Sequence, residues 1–227
     1  MSGYVLPPPP QASVAVEGSA DRFAVRRIFC VGRNYAEHVR EMGYKPEESP
    51  PFFFSKPADA VVDSGASIAY PPMTADLHHE AELVLALGQG GANLAPEDCL
   101  ALIWGLAAGN DLTRRDLQAE AKQLRRPWDM SKGFDASAVV GPIRRFDGAL
   151  PQGRIRCLVG ERVAQEALLS EMIWDVPALL SYLSRFVTLR PGDLVFTGTP
   201  AGVGPIVSGQ TCTVEIDGLL PATVTLT

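Results

Sequence analysis

The sequence predicts a mixed α+β fold in which strands outnumber helices and the sheets roll around a central core. Three observations carry this expectation. Short runs rich in Val, Ile and Phe recur along the chain and stop at Gly or Pro. Helical segments are few and brief. Strands seldom alternate with helices in the regular way that a doubly wound parallel sheet demands. At 227 residues and 46% apolar, the chain is large enough to bury one sizeable core.

In order along the chain, residues 1–25 are rich in Pro, Ala, Ser and Gly and read as an extended arm on the surface, ahead of a single domain over 26–227. "RRIFCVG" is a strand closed by glycine, and "NYAEHVREMG" a short helix capped by Asn34 and ended by Gly43. The prolines of "YKPEESPP" break that helix, so a mobile loop follows, and loop and helix together could form a lid. "FFFSKP" and "EAELVLALG" are strands, "PEDCLALIWG" a helix opened by proline, and "LAAGND" a further short strand. "TRRDLQAEAKQL" is a helix for which Thr113 can serve as N-cap. A hairpin around Gly160, a helix "VPALLSYLSRF", a strand "DLVFTG" and a closing hairpin "QTCTVEIDGLLPATVTL" complete the pattern.

Bulk properties exclude several roles. With 26 acidic against 20 basic side chains and no Lys/Arg stripe, neither nucleic acid nor an anionic membrane surface is an expected partner. The opening lacks a basic region followed by an apolar one, and no segment approaches the roughly 18 apolar residues of a membrane span, so a cytoplasmic protein is expected. Cys30, Cys99, Cys157 and Cys212 stand singly, without C-x-x-C, and read as reduced and buried.

Chemistry concentrates in a few places. Glu80 and Glu82 lie two residues apart at the start of a strand, so their carboxylates point the same way. Like charges so placed raise each other's pKa or need a cation, and a hard divalent ion, Mg²⁺ or Mn²⁺, would resolve the conflict because it takes such oxygen donors. An exposed edge-strand face is the plainer alternative. Asp111, where a strand meets a helix, could be a third ligand or simply a helix cap. His38 and Glu41 fall on one helical face, the pairing that lets an imidazole take a proton from water. His78 and His79 could support the site or be structural. Lys132, among aromatics in "WDMSKGFD", could face an oxyanion or be solvated. "GTPAGVGP" lacks a Walker lysine and reads as a tight turn presenting backbone N–H groups to a carboxylate.

The motifs "GRNYAEHVREMG", "HHEAEL", "GNDLTRRDLQ", "SKGFD" and "FTGTPAGVGP", in this order and spacing, resemble the fumarylacetoacetate hydrolase family, and more narrowly its short acylpyruvate hydrolase branch. The resemblance runs from about residue 26 to the end. It implies the rolled sheet of the fumarylacetoacetase C-terminal domain, commonly a homodimer, and hydrolysis of the carbon–carbon bond of an acylpyruvate, fumarylpyruvate above all, in aromatic catabolism. It implies Glu80, Glu82 and Asp111 as ligands of one Mg²⁺ or Mn²⁺, His38 and Glu41 as the water-activating pair, and Gln118 and Lys132 as oxyanion stabilisers. Arg115 and Thr199, with Gly198 and Arg33, fall among its substrate contacts. Longer members carry a further aspartate ligand for which this sequence has no clear equivalent. The family also holds oxaloacetate decarboxylases, keto–enol tautomerases and isomerases, which are the alternative reading. A non-catalytic cation-binding scaffold is the remote one.

Overall fold

A curled, mixed eight-stranded sheet organises the computed structural model, which describes residues 3–43, 45 and 50–227. The loop expected at "YKPEESPP", and with it the loop half of the expected lid, lies mostly outside the described residues. Strand accounts for 39% of the chain and helix for 19%, in line with the strand-rich class. Among the described residues, no helix is long and apolar enough to cross a membrane.

The first 25 residues are only partly an extended arm. Residues 3–12 have no regular structure, but β1 (Ser13–Ala15) and β2 (Arg22–Ala24) pair as a hairpin. Val14 and Val25 anchor it by burying their side chains against Ile28 and Ile143, which composition alone did not reveal. The remaining strands are β3 (Arg27–Gly32), β4 (Phe52–Lys56), β5 (Val61–Asp63), β6 (Ala66–Ile68), β7 (Leu77–His79), β8 (Ala81–Leu87), β9 (Ile103–Asp111), β10 (Thr113–Arg114), β11 (Ala138–Val140), β12 (Arg144–Arg145), β13 (Arg154–Val159), β14 (Arg162–Leu168), β15 (Asp193–Phe196), β16 (Gly204–Pro205), β17 (Thr211–Ile216) and β18 (Ala222–Leu226). The helices are α1 (Ala36–Glu41), α2 (Arg115–Leu124), α3 (Asp129–Lys132) and α4 (Val176–Leu183).

The main sheet runs β4-β3-β15-β8-β9-β11-β5, with β12 joined to β9. Its β15/β3 and β11/β5 pairs are parallel and its other pairs antiparallel. A second sheet, β14-β13-β17-β18-β6, packs against it. Strand β8 lies in the middle and is buried throughout. Its Leu83, Leu85 and Leu87 face the core shared with the second sheet, while Val84 and Ala86 face a smaller core with Ile28 and Phe196. Apolar residues are therefore needed on both faces, which is why "LVLAL" runs without alternation.

Three local expectations are corrected. The helix expected over "PEDCLALIWG" is a 3-10 segment, Pro96–Leu102, because Ile103 and Trp104 join β9, where Ile103 pairs with Leu87 of β8 and Trp104 falls at a register shift. Thr113 does not cap α2; it pairs with His78 in β10, and its hydroxyl donates to the Asp111 carbonyl at 3.0 Å. Asn34 does not cap α1, which begins after Tyr35. Its amide instead donates to the Trp174 and Thr197 carbonyls and accepts from the Trp174 N–H, clamping three segments together. Asp175 shows what a working cap looks like here, accepting from Ala178 N–H at 2.9 Å ahead of α4. The two expected hairpins form, as β13–β14 and β17–β18. All four cysteines are free and buried, Cys157 and Cys212 with sulfurs 3.3 Å apart.

Candidate active site

The register of two central strands assembles the acidic cluster. Ala81 of β8 stands opposite Asn110 of β9, so the next positions outward, Glu80 and Asp111, also face each other. The Asp111 N–H donates to the Glu80 carbonyl at 2.9 Å, and the Asn110 side chain accepts from the Glu80 N–H at 2.9 Å. Residues opposite each other project to one face, and Glu82 joins them diagonally. Ligand oxygens of Glu80, Glu82 and Asp111 lie within 4.8 Å of one another, and all three residues are buried. This disposes of both plainer alternatives: the strand is central rather than an exposed edge, and Asp111 caps no helix.

Such a cluster is costly unless it is compensated. Lys132 Nζ reaches Glu80 Oε2 at 2.7 Å and Asp111 Oδ2 at 2.8 Å, Lys56 Nζ lies 2.7 Å from Asp111 Oδ1, and Arg115 Nη2 lies 2.5 Å from Glu80 Oε1. Three carboxylates thus face three cations. Burial alone would raise Glu80, but Lys132 and Arg115 outweigh it and hold the carboxyl below its ordinary range. Burial would likewise lower Lys132, and Asp111 with Glu80 reverses that. Glu82 goes the other way: burial, then the charges of Asp111 and Glu80, push it up, only partly countered by Lys132 and the Gly198 N–H.

The donor set fits a hard divalent cation. All three ligands are oxygens, Glu82 is destabilised by its like-charged neighbours, and Asp111 Oδ1 is buried without a hydrogen bond, since Lys56 is near it but outside hydrogen-bonding geometry. A dication added to this balanced set would leave a net positive site, suited to an anionic ligand.

His38 borders the same cleft from α1. It is 7% exposed, and its Nδ1 lies 3.2 Å from Glu41 Oε2. A carboxylate can only accept, so Nδ1 donates and Nε2 is left with its lone pair. Burial lowers the His38 pKa, against the opposing pulls of Glu80 and Glu41, which favours the neutral ring that a base requires. Glu41 is itself fixed by the Gly202 N–H, 3.2 Å from Oε2.

The cleft is lined by Arg33, His38, Glu80, Glu82, Arg115, Gln118, Lys132 and Thr199 among the expected residues. Gln118 Oε1 accepts from Arg115 at 2.7 Å. Glu41, Asp111 and Gly198 stand behind this lining. The N–H of Gly198, expected to meet substrate, is committed to Glu82 Oε2 at 2.7 Å. Gly198 has φ +100°, and a Cβ there would come within 2.7 Å of Asn34 Cβ, so glycine is required. The "GTPAGVGP" turn therefore does present backbone N–H groups to carboxylates, those of Glu82 and Glu41.

Sequence reasoning missed several participants. Lys56 ends β4 and also donates to the Leu112 carbonyl at 3.1 Å, but nothing local marks the lysine of "FFFSKP" as buried. Gln165 is another: its Oε1 accepts from His79 Nδ1 and the Ala81 N–H, and its amide nitrogen donates to Thr199 Oγ1 at 2.9 Å. It fastens Thr199 to the start of β8 from 34 residues away in sequence. His79 is thus structural, while His78 sits between Asp76 and Arg115. Lys122 and Trp128 complete the wall of the cleft.

A strand-borne carboxylate triad, a buried lysine and a histidine–glutamate pair around one cleft define a metal-dependent enzyme. The chain belongs to the fumarylacetoacetate hydrolase family: Fumarylacetoacetate (FAA) hydrolase C-terminal matches residues 27–227. It is 39% identical to a fumarylpyruvate hydrolase of a Ralstonia species over 77% of this chain and 92% of that one. It is 36% identical to an oxaloacetate tautomerase of Escherichia coli over 89% of this chain and 93% of that one. The crystal structure of fumarylpyruvate hydrolase from Pseudomonas aeruginosa in complex with Mn²⁺ and pyruvate is 45% identical, covers 99% of each chain and superposes with a TM-score of 0.95.

Proposed function

We propose that the chain hydrolyses the carbon–carbon bond of an acylpyruvate, with fumarylpyruvate yielding fumarate and pyruvate as its reaction. The observation that carries this is the His38–Glu41 pair at the edge of a cleft whose floor is the carboxylate triad. Hydrolysis needs an activated water; tautomerisation and decarboxylation do not. The relatives named for fumarylpyruvate support the same reading.

Glu80, Glu82 and Asp111 would hold Mg²⁺ or Mn²⁺, which when bound supplies Lewis-acid polarisation of the 2-oxo acid end of the substrate. His38 Nε2 takes a proton from water, with Glu41 holding the ring. The water oxygen bonds to the distal acyl carbon, and Lys132 with Gln118 faces the negative charge that develops on the acyl oxygen. The carbon–carbon bond then breaks. Its electron pair passes to the methylene carbon of the pyruvate half, which is protonated to pyruvate. Arg115, Thr199 and Arg33 orient the substrate carboxylates.

Relatives named oxaloacetate tautomerase and oxaloacetate decarboxylase favour a second reading at the same site. Turnover of fumarylpyruvate and oxaloacetate under one set of Mn²⁺ conditions separates the two. Hydrolysis predicts release of fumarate and pyruvate from the first at the higher kcat/KM. A chain that only interconverts or decarboxylates oxaloacetate refutes it. A homodimer and a place in aromatic catabolism, with residues 26–227 as the catalytic unit, belong to the same proposal and rest on the motif resemblance; a cytoplasmic setting is proposed with them.

A further inference from the structure

Helix α2 turns three side chains into the cleft at positions i, i+3 and i+7: Arg115, Gln118 and Lys122. The first two are engaged at the floor, Arg115 with Glu80 and Gln118. Lys122 is different. Its Nζ sits 5.3 Å from the centre of the Trp128 ring, and among the described residues no carboxylate lies within ion-pair distance of it. Burial first, then the nearby charge of Arg115, with Arg33 and Lys132 adding to it, push its pKa down to about 8; Glu80 alone pulls the other way. A half-buried ammonium surrounded by cations is a place that an anion would stabilise.

Seven helical residues at about 1.5 Å each put Lys122 roughly 10 Å along the axis beyond Arg115. A seven-carbon dioxo diacid has six C–C bonds of about 1.5 Å, so its two carboxylates stand roughly 7–8 Å apart when extended. With one end held at the floor, the other falls within reach of a flexible lysine side chain. Phe52, Phe54, Trp128 and Met42 wall the same cleft with apolar surface suited to an unsaturated acyl chain.

We propose that Lys122 is a specificity-determining residue: it pairs with the distal carboxylate of a dicarboxylic acyl group and selects such substrates over neutral acyl groups. This rests on the acylpyruvate reading and extends it to the acyl end. Lys122 stands away from the reacting atoms, so its contribution appears as binding, in KM more than in kcat.

The test is steady-state kinetics of the Mn²⁺-loaded wild type and Lys122→Met on fumarylpyruvate and on acetylpyruvate, whose acyl end is uncharged. The expected result is a loss in kcat/KM of about 10–100-fold on fumarylpyruvate, the range of one charge-assisted hydrogen bond, carried mainly by KM. The loss on acetylpyruvate is at least about tenfold smaller, and a thermal unfolding midpoint matching wild type shows that the variant is folded. Partial recovery on fumarylpyruvate in Lys122→Arg supports the charge pairing. Equal losses on both substrates, or no loss on fumarylpyruvate, overturn the assignment while leaving the acylpyruvate reading intact. A wild type that hydrolyses neither overturns that reading and this inference together.

Discussion

The floor of the cleft and its rim are built on different principles. On the floor, Glu80, Glu82 and Asp111 sit on or beside central strands whose hydrogen-bonded register fixes their spacing, and each is at most 5% exposed. On the rim, His38 and Glu41 ride on a six-residue helix with no side-chain N-cap, and the Glu41 side chain is 39% exposed. The floor is held by the sheet itself. The rim is held by borrowed contacts: Tyr35 packed in the core, the Asn34 clamp and the Gly202 N–H. Damage to the floor should therefore cost folding and metal together, whereas damage to the rim should cost rate alone.

The largest expected effect that would break this distinction comes from Asp111→Ala. It leaves Lys56 and Lys132 buried without one carboxylate partner each, and unfolding by denaturant should show a loss of about 3–5 kcal/mol together with weakened Mn²⁺ binding by calorimetry. A variant as stable as wild type would mean that the floor is not held together by its charges.

His38→Ala should sharpen the contrast. Turnover should drop about 10²–10⁴-fold, while Mn²⁺ affinity measured by calorimetry stays near wild type. The pH profile checks the same assignment. His38 acts only when neutral, and burial depresses its pKa, so kcat/KM should hold until the pH falls below the ordinary value of 6.5. An acid limb centred above 6.5, or one unchanged in the variant, would remove His38 from the role of base.

The smallest effect belongs to the solvent-facing side of α2. Arg126 and Glu120 form an ion pair with side chains 65% and 57% exposed, outside the lining of the cleft. Glu120→Ala should shift stability by under about 0.5 kcal/mol and leave kinetics unchanged. A larger shift would show that charge at the protein surface couples to the site.

Much of this was legible in the residues themselves. A two-residue period makes Glu80 and Glu82 neighbours on any strand, and a three-residue step brings His38 to Glu41 on any helix turn, so both pairs were visible from local spacing. Asp111 needed more, because its place depends on the pairing of β8 with β9 across 30 residues; it was legible only as a candidate until the motif order was considered. Lys56 and Gln165 had no local signal at all. Each does its work through partners 34 to 86 residues distant, and Lys56 looks in sequence like any lysine closing a strand. The capping errors share one cause. Asn34 and Thr113 have the right chemistry to cap a helix, but the first is claimed by distant carbonyls and the second by a strand pairing, and tertiary demand outranked the local preference.

The balance of three carboxylates by Lys56, Lys132 and Arg115 has a consequence for how the enzyme is handled. In a zinc finger the ion is the keystone, and chelation unravels the chain. Here the resident ammonium and guanidinium groups already neutralise the pocket, so treatment with a chelator should leave an intact, inactive protein. Dialysis against fresh Mn²⁺ should then restore it without passage through an unfolded state.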